Sequence, residues 1–189
     1  MHRSVDRPSR LRPSRRHVLR WFGGAAVVAA AAPARALVPG GVRELALRSI
    51  HTGEKARAVY REGGTLLEDG LGELHGVLRD WRTDERYAID PGLLDYLATV
   101  RDALGHDGWI DVISGYRSPK TNAALAARSG GVAKKSLHMQ GRAVDVAFPG
   151  RSVAEVRRAA LSLERGGVGV YSASGFVHLD TGRFRSWGS

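Results

Sequence analysis

His138 and Asp145 stand seven residues apart in the stretch Ser136-Leu137-His138-Met139-Gln140-Gly141-Arg142-Ala143-Val144-Asp145. Between them lies Gly141, which lets a chain turn sharply. Beyond it, Ala143 to Phe148 is a short apolar run that predicts a strand with Asp145 as its one charged residue. A carboxylate among apolar neighbours needs a partner, because burying an unpaired charge is costly. A divalent metal shared with His138 would be such a partner, since zinc takes both imidazole nitrogen and carboxylate oxygen. The chain has no cysteine, so any metal must be held by His, Asp or Glu, and a disulfide framework is excluded.

Two ligands do not make a site, and the other histidines supply the candidates for a third. His51 begins a hairpin turn, His75 sits beside the apolar face of a helix, and His106 follows a helix-ending glycine. Each is read as structural. His178 differs, because Asp180 follows it by two residues in Phe176-Val177-His178-Leu179-Asp180. Side chains alternate along a strand, so His178 and Asp180 share a face. Either that face lies in water on an exposed edge, or both groups point into a site.

The elements that must position these residues follow from periodicity. Arg43 to Ser49 and Ala56 to Tyr60 alternate about the turn His51-Thr52-Gly53-Glu54, which predicts a β-hairpin. Leu66 to Trp81 carries apolar residues at helical spacing. Asp90-Pro91 starts a second helix, which Gly105 ends. Trp109 to Ile113 reads as a buried strand leading into Ser114-Gly115-Tyr116-Arg117-Ser118-Pro119, and a third helix runs from Lys120 to Ala127. A glycine-rich, basic loop from Ser129 to Lys135 precedes His138. Ser152 with Glu155 forms a capping box that opens a fourth helix. Val168 to Tyr171 and Phe176 to Asp180 are the last strands. Short strands mixed with helices predict an α+β fold with a small, mainly antiparallel sheet flanked by helices.

The 189 residues suit one domain of ordinary size. The net charge of +10 suggests nucleic acid until its distribution is read. Residues 1–36 hold eight Arg and one Asp, whereas the remaining 153 residues hold 21 Lys+Arg against 18 Asp+Glu. The body is near balance, so nucleic-acid binding loses its main support. The basic segment, residues 1–20, ends in Ser14-Arg15-Arg16-His17-Val18-Leu19-Arg20 and is followed by the apolar run Trp21 to Ala32 and then Ala34-Arg35-Ala36. That is a charged region, an apolar region and a small-x-small cleavage site. The run is shorter than the ~20 residues that span a bilayer. It resembles a twin-arginine export signal, with Val18 where that pattern usually has Phe. Residues 1–36 are thus expected to be a signal, leaving a single domain over 37–189 with no membrane span. An uncleaved amphipathic anchor is the other reading. The resemblance implies a protein exported to the periplasm or cell envelope.

Three blocks, SGYRS at 114–118, SLHMQGRAVDV at 136–146 and FVHLDTG at 176–182, resemble the zinc D,D-peptidase (M15-like) family that cuts peptidoglycan peptides. Within it they are most similar to the murein endopeptidase K branch. The resemblance implies a hedgehog/D,D-peptidase-like fold and one zinc ion per chain, held by His138, Asp145 and His178 with a water as nucleophile. It further implies that Arg117 stabilises the oxyanion and that Ser136, Tyr116 and Gln140 support the site or meet the substrate. Peptides of peptidoglycan, as cross-links or stems, would be the partner, cut by an endopeptidase or a carboxypeptidase. Where other members carry Glu or His just before the final ligand, this chain has Gly175 and Phe176. Asp180 is therefore assigned as general base; alternatively it orients His178 or Arg117. The missing base also leaves open a non-catalytic, zinc-containing, peptidoglycan-binding or scaffolding protein. The sequence gives no signal of oligomeric state.

Overall fold

The structure, a computed structural model, describes residues 41–128 and 133–188. The export signal expected at 1–36 and most of the glycine-rich loop lie outside the described residues. The fold is α+β. Its eight strands are β1 (Arg43–Ser49), β2 (Lys55–Glu62), β3 (Thr65–Leu66), β4 (Ile110–Ser114), β5 (Ala143–Ala147), β6 (Gly167–Tyr171), β7 (Phe176–Asp180) and β8 (Arg185–Trp187). They form one sheet in the order β3-β2-β1-β4-β5-β7-β6-β8. The β1–β4 and β6–β8 pairs are parallel and the other pairings antiparallel, so the sheet is mixed and longer than the sequence suggested. The added strands, β3 and β8, are two and three residues long, too short to show a period.

There are four helices among the described residues, α1 (Glu68–Val77), α2 (Pro91–Ala103), α3 (Pro119–Arg128) and α4 (Val153–Leu161), of which α1, α2 and α4 pack on the sheet. The Asp90 side chain accepts from Gly92 N at the start of α2, with Pro91 at the first helical position. At the start of α4 the Ser152–Glu155 capping box is complete. The apolar stripe of α2, Leu93, Leu94, Leu97 and Val100, is buried with Leu45 and Leu47 of β1 and with Leu74 and Leu78 in a single core. Among the described residues, no helix is long and apolar enough to cross a membrane.

The first helix stops four residues before the expected Trp81. Asp80 accounts for this. Its Oδ2 accepts from the Ser118 backbone N–H at 2.8 Å and from Ser118 Oγ at 2.7 Å, while Oδ1 accepts from Arg82 N at 3.0 Å. Those bonds reach across 38 residues of chain and draw the segment out of helical register, a competition that short polar side chains often win.

Gly141 is the pivot between His138 and Asp145. Its φ is +64°, and a Cβ placed there would meet the Ala88 carbonyl oxygen at 2.3 Å. The same close approach lets the Gly141 carbonyl accept from Asp90 N at 2.9 Å. We expect Gly141→Ala to cost about 2 kcal/mol or more in chemical denaturation. Gly150→Ala, at φ +81° but with nothing within 4 Å, should cost only the backbone part.

Candidate metal centre

The sheet register alone brings two of the proposed ligands together. Ser114 at the end of β4 faces Asp145 on β5, and Asp145 faces His178 on β7. The third arrives on a 3-10 turn, Leu137–Gln140, which places His138 against both strands. Ser136 caps that turn by accepting from His138 N at 3.3 Å. Arg117 N donates to the His138 carbonyl at 3.2 Å and ties the segment after β4 to the same turn.

His138 Nε2 lies 3.2 Å from His178 Nδ1, and Asp145 Oδ1 lies 2.8 Å from His178 Nδ1 and 3.3 Å from His138 Nε2. The opposite ring atoms settle the tautomers. His138 Nδ1 faces the Gly115 carbonyl at 2.7 Å, an acceptor, so that nitrogen carries the proton. His178 Nε2 faces Asp180 Oδ2 at 3.0 Å and is likewise the donor. Once His178 Nδ1, which faces Asp145 Oδ1 at 2.8 Å, gives up its proton, two imidazole lone pairs and a carboxylate oxygen converge. Tetrahedral ligands about 2.05 Å from a zinc ion stand about 3.3 Å apart, close to the edges of this triangle. All three residues are buried or nearly so, and the triangle opens on a cleft of about 550 Å³. The donor set fits a divalent metal of the zinc type with one direction left for an exogenous ligand.

The surrounding charges reinforce this convergence. Burial pushes the Asp145 carboxyl up, but the two imidazoles outweigh it and hold the group well below the usual carboxylate range. Burial lowers the affinity of His138 for a proton. Burial acts the same way on His178, yet Asp145 and Asp180 on its two sides raise its pKa overall. A metal-free site thus tends to hold a proton on His178, at the position a cation would occupy. Arg117 bridges Ser114 Oγ through Nε at 3.0 Å and Asp145 Oδ2 through Nη2 at 2.8 Å.

The surroundings of Asp180 speak against the role of base. Its Oδ2 accepts from His178 Nε2 and, at 2.6 Å, from Arg185; its Oδ1 accepts from Gly167 N, Gly182 N and Arg185. The residue is fully buried, and these donors depress its pKa although burial opposes them. No lone pair remains for a proton from the cleft. Two further expectations also change. Tyr116 is buried away from the cleft, donating to Glu85 at 2.8 Å and stacking on Tyr87, and burial pushes its hydroxyl up to about 12. Gln140 is exposed and does not line the cleft. Ser136 does line it.

Sequence reasoning missed one wall of the site. Tyr171 and Phe176 stack at 4.6 Å between ring centroids, and Trp187 stands 5.2 Å from the His178 ring. Trp187 can come so close because Gly169 lies beneath it, where a Cβ would meet the indole at 2.5 Å. His51, read as purely structural, also lines the cleft and stacks on Trp81 at 4.1 Å. The alternation Gly167, Gly169 against Val168, Val170 was the one available signal that something packs flat on β6.

A family model described as peptidoglycan L,D-endopeptidase MepK matches residues 38–187. The peptidoglycan L,D-endopeptidase MepK of Escherichia coli (strain K12) is 42% identical over 175 residues, which cover 91% of this chain and 96% of that protein. The protein of the same name from Shigella flexneri matches to the same extent. A probable peptidoglycan L,D-endopeptidase MepK from Haemophilus influenzae is 38% identical over 146 residues, covering 77% of this chain and 78% of that protein.

Two measurements test the centre itself. Because His178 holds a proton more tightly than an ordinary imidazole, a metal must displace that proton. Apparent metal affinity should therefore be constant above the raised pKa and fall about tenfold per pH unit below it, as chelator competition would show. Asp180→Ala should weaken metal binding by about 10- to 100-fold, with circular dichroism confirming the fold.

Proposed function

Because the chain belongs to the family of the peptidoglycan L,D-endopeptidase MepK, we propose that it is a zinc peptidase hydrolysing an L,D amide in peptidoglycan cross-links. The observation that carries the zinc reading is the triangle formed by His138 Nε2, Asp145 Oδ1 and His178 Nδ1 at the floor of the cleft. The family membership favours an enzyme over a metal-holding scaffold without activity. We further propose residues 1–36 as a twin-arginine signal that delivers residues 37–189 to the periplasm, where the polymer lies.

His138, Asp145 and His178 would hold the ion, and each has a partner fixing its orientation: the Gly115 carbonyl, Arg117 and Asp180 respectively. When bound, zinc supplies a Lewis acid and lowers the pKa of a water toward about 7. Arg117 uses Nε and Nη2 on Ser114 and Asp145, which leaves Nη1 for negative charge developing on the amide oxygen. The guanidinium is preorganised by these bonds, so little reorganisation is needed as that charge forms. Asp180 acts through His178: it keeps Nε2 protonated and so keeps the Nδ1 lone pair toward the ligand triangle. Tyr171, Phe176 and Trp187 form an apolar wall that limits water around the reacting amide.

Purified protein incubated with cross-linked muropeptides should release monomers with zinc present and none after chelation, read by chromatography and mass spectrometry. Absence of product at any zinc concentration would overturn the peptidase reading. His138→Ala should abolish stoichiometric zinc and lower turnover by at least about 1000-fold. Arg117→Ala should lower kcat by about 100- to 1000-fold while zinc content stays near one per chain, and Arg117→Lys should restore little.

A further inference from the structure

The cleft holds more positive charge than its own acids neutralise. Of its three guanidinium groups, Arg117 is paired with Asp145 and Arg185 with Asp180. Arg82 is the third, and among the described residues no carboxylate forms an ion pair with it. Lys135 lines the same cleft, and a bound divalent cation would add to the excess. Such a surplus in a concave site marks an anionic ligand.

Arg82 is also built into place rather than left on a loose chain. Its guanidinium carbon lies 4.0 Å from the centroid of the Trp81 ring, and Trp81 in turn stacks on His51. Its backbone N–H is held at 3.0 Å by Asp80 Oδ1, and the other oxygen of that buried carboxylate binds Ser118, the neighbour of Arg117. One acid thus fixes the segment carrying Arg82 to the segment carrying Arg117. A cation held over an aromatic face loses less freedom when it meets an anion.

Resting on the peptidase reading for its substrate, we propose that Arg82 is a specificity-determining residue that binds a free carboxylate of the peptide beside the scissile amide. The carboxylate is either the α-carboxylate of the chain end or one on a side chain; both present the same planar pair of oxygens to a guanidinium.

The test uses zinc-loaded full-length protein and three versions of one cross-linked stem-peptide dimer: unmodified, amidated at the chain end, and amidated on the side chain. One of the two amidations should lower kcat/KM by about 10- to 100-fold, chiefly through KM, and which one does so identifies the carboxylate. In Arg82→Ala the ratio between unmodified and amidated peptide should collapse toward one, and Arg82→Lys should recover part of it. Equal loss on all three peptides, or no discrimination by the unaltered protein, would overturn the inference. Calorimetric binding of the same peptides separates this from the peptidase reading. If the zinc-loaded protein cuts none of them, the peptidase reading falls. The carboxylate site then stands only if amidation still weakens binding and Arg82→Ala removes that difference.

Discussion

Three potential ligand atoms, His138 Nε2, Asp145 Oδ1 and His178 Nδ1, are held within 2.8 to 3.3 Å of one another. Such an arrangement repels itself unless a positive charge sits among the three. A divalent ion satisfies it at neutral pH, and a proton on His178 satisfies it partly when metal is scarce. Much of the surrounding structure can be understood as what is needed to keep the lone pairs pointing inward. Gly115 offers a carbonyl to the back of one imidazole and Asp180 a carboxylate to the back of the other.

That arrangement depends on Asp180 being buried. An acid with no exposed surface is tolerated because backbone N–H groups of Gly167 and Gly182, both nitrogens of the Arg185 fork and His178 surround it. Breaking any one of these leaves a costly charge, so β8, which carries Arg185, is fastened to His178 through Asp180 although it is only three residues long. The same strand brings Trp187 across Gly169. The orientation of the His178 ring and the apolar wall of the cleft therefore share one anchor.

Asp80 plays a comparable part on the opposite side. It ends α1 early, bonds Ser118 and fixes the backbone of Arg82, so that the basic wall is referred to the same strand end as Arg117. A cleft with an aromatic wall, a cationic wall and a floor of convergent ligand atoms suits the proposed substrate, a peptide with an acidic group close to its reacting amide.

Much of this was legible in the sequence where the signal is local. Gly141 announced a turn because positive φ favours glycine, and the structure gives it φ +64°. The hairpin, the capping residues Asp90 and Ser152, and the helices after them follow from short-range periodicity and hydrogen bonding. His178 and Asp180 were set on one face by strand alternation alone. The sequence could not decide what that face meets. Asp180 resembled a base because it is an acid beside a proposed ligand; only the tertiary structure shows it buried, with donors converging on both of its oxygens, from Gly167 to Arg185. Tyr116 and Gln140 lay within motif blocks, yet packing turned them away from the cleft, whereas Trp187 and Arg82 lay outside every block and packing turned them in. Local pattern determines which way a residue faces along its own element. Which charges neutralise one another is settled by contacts between elements far apart in the chain, such as Arg117 with Asp145, 28 residues on, and Arg48 with Asp111, 63 residues on, and those contacts exist only once the sheet has closed.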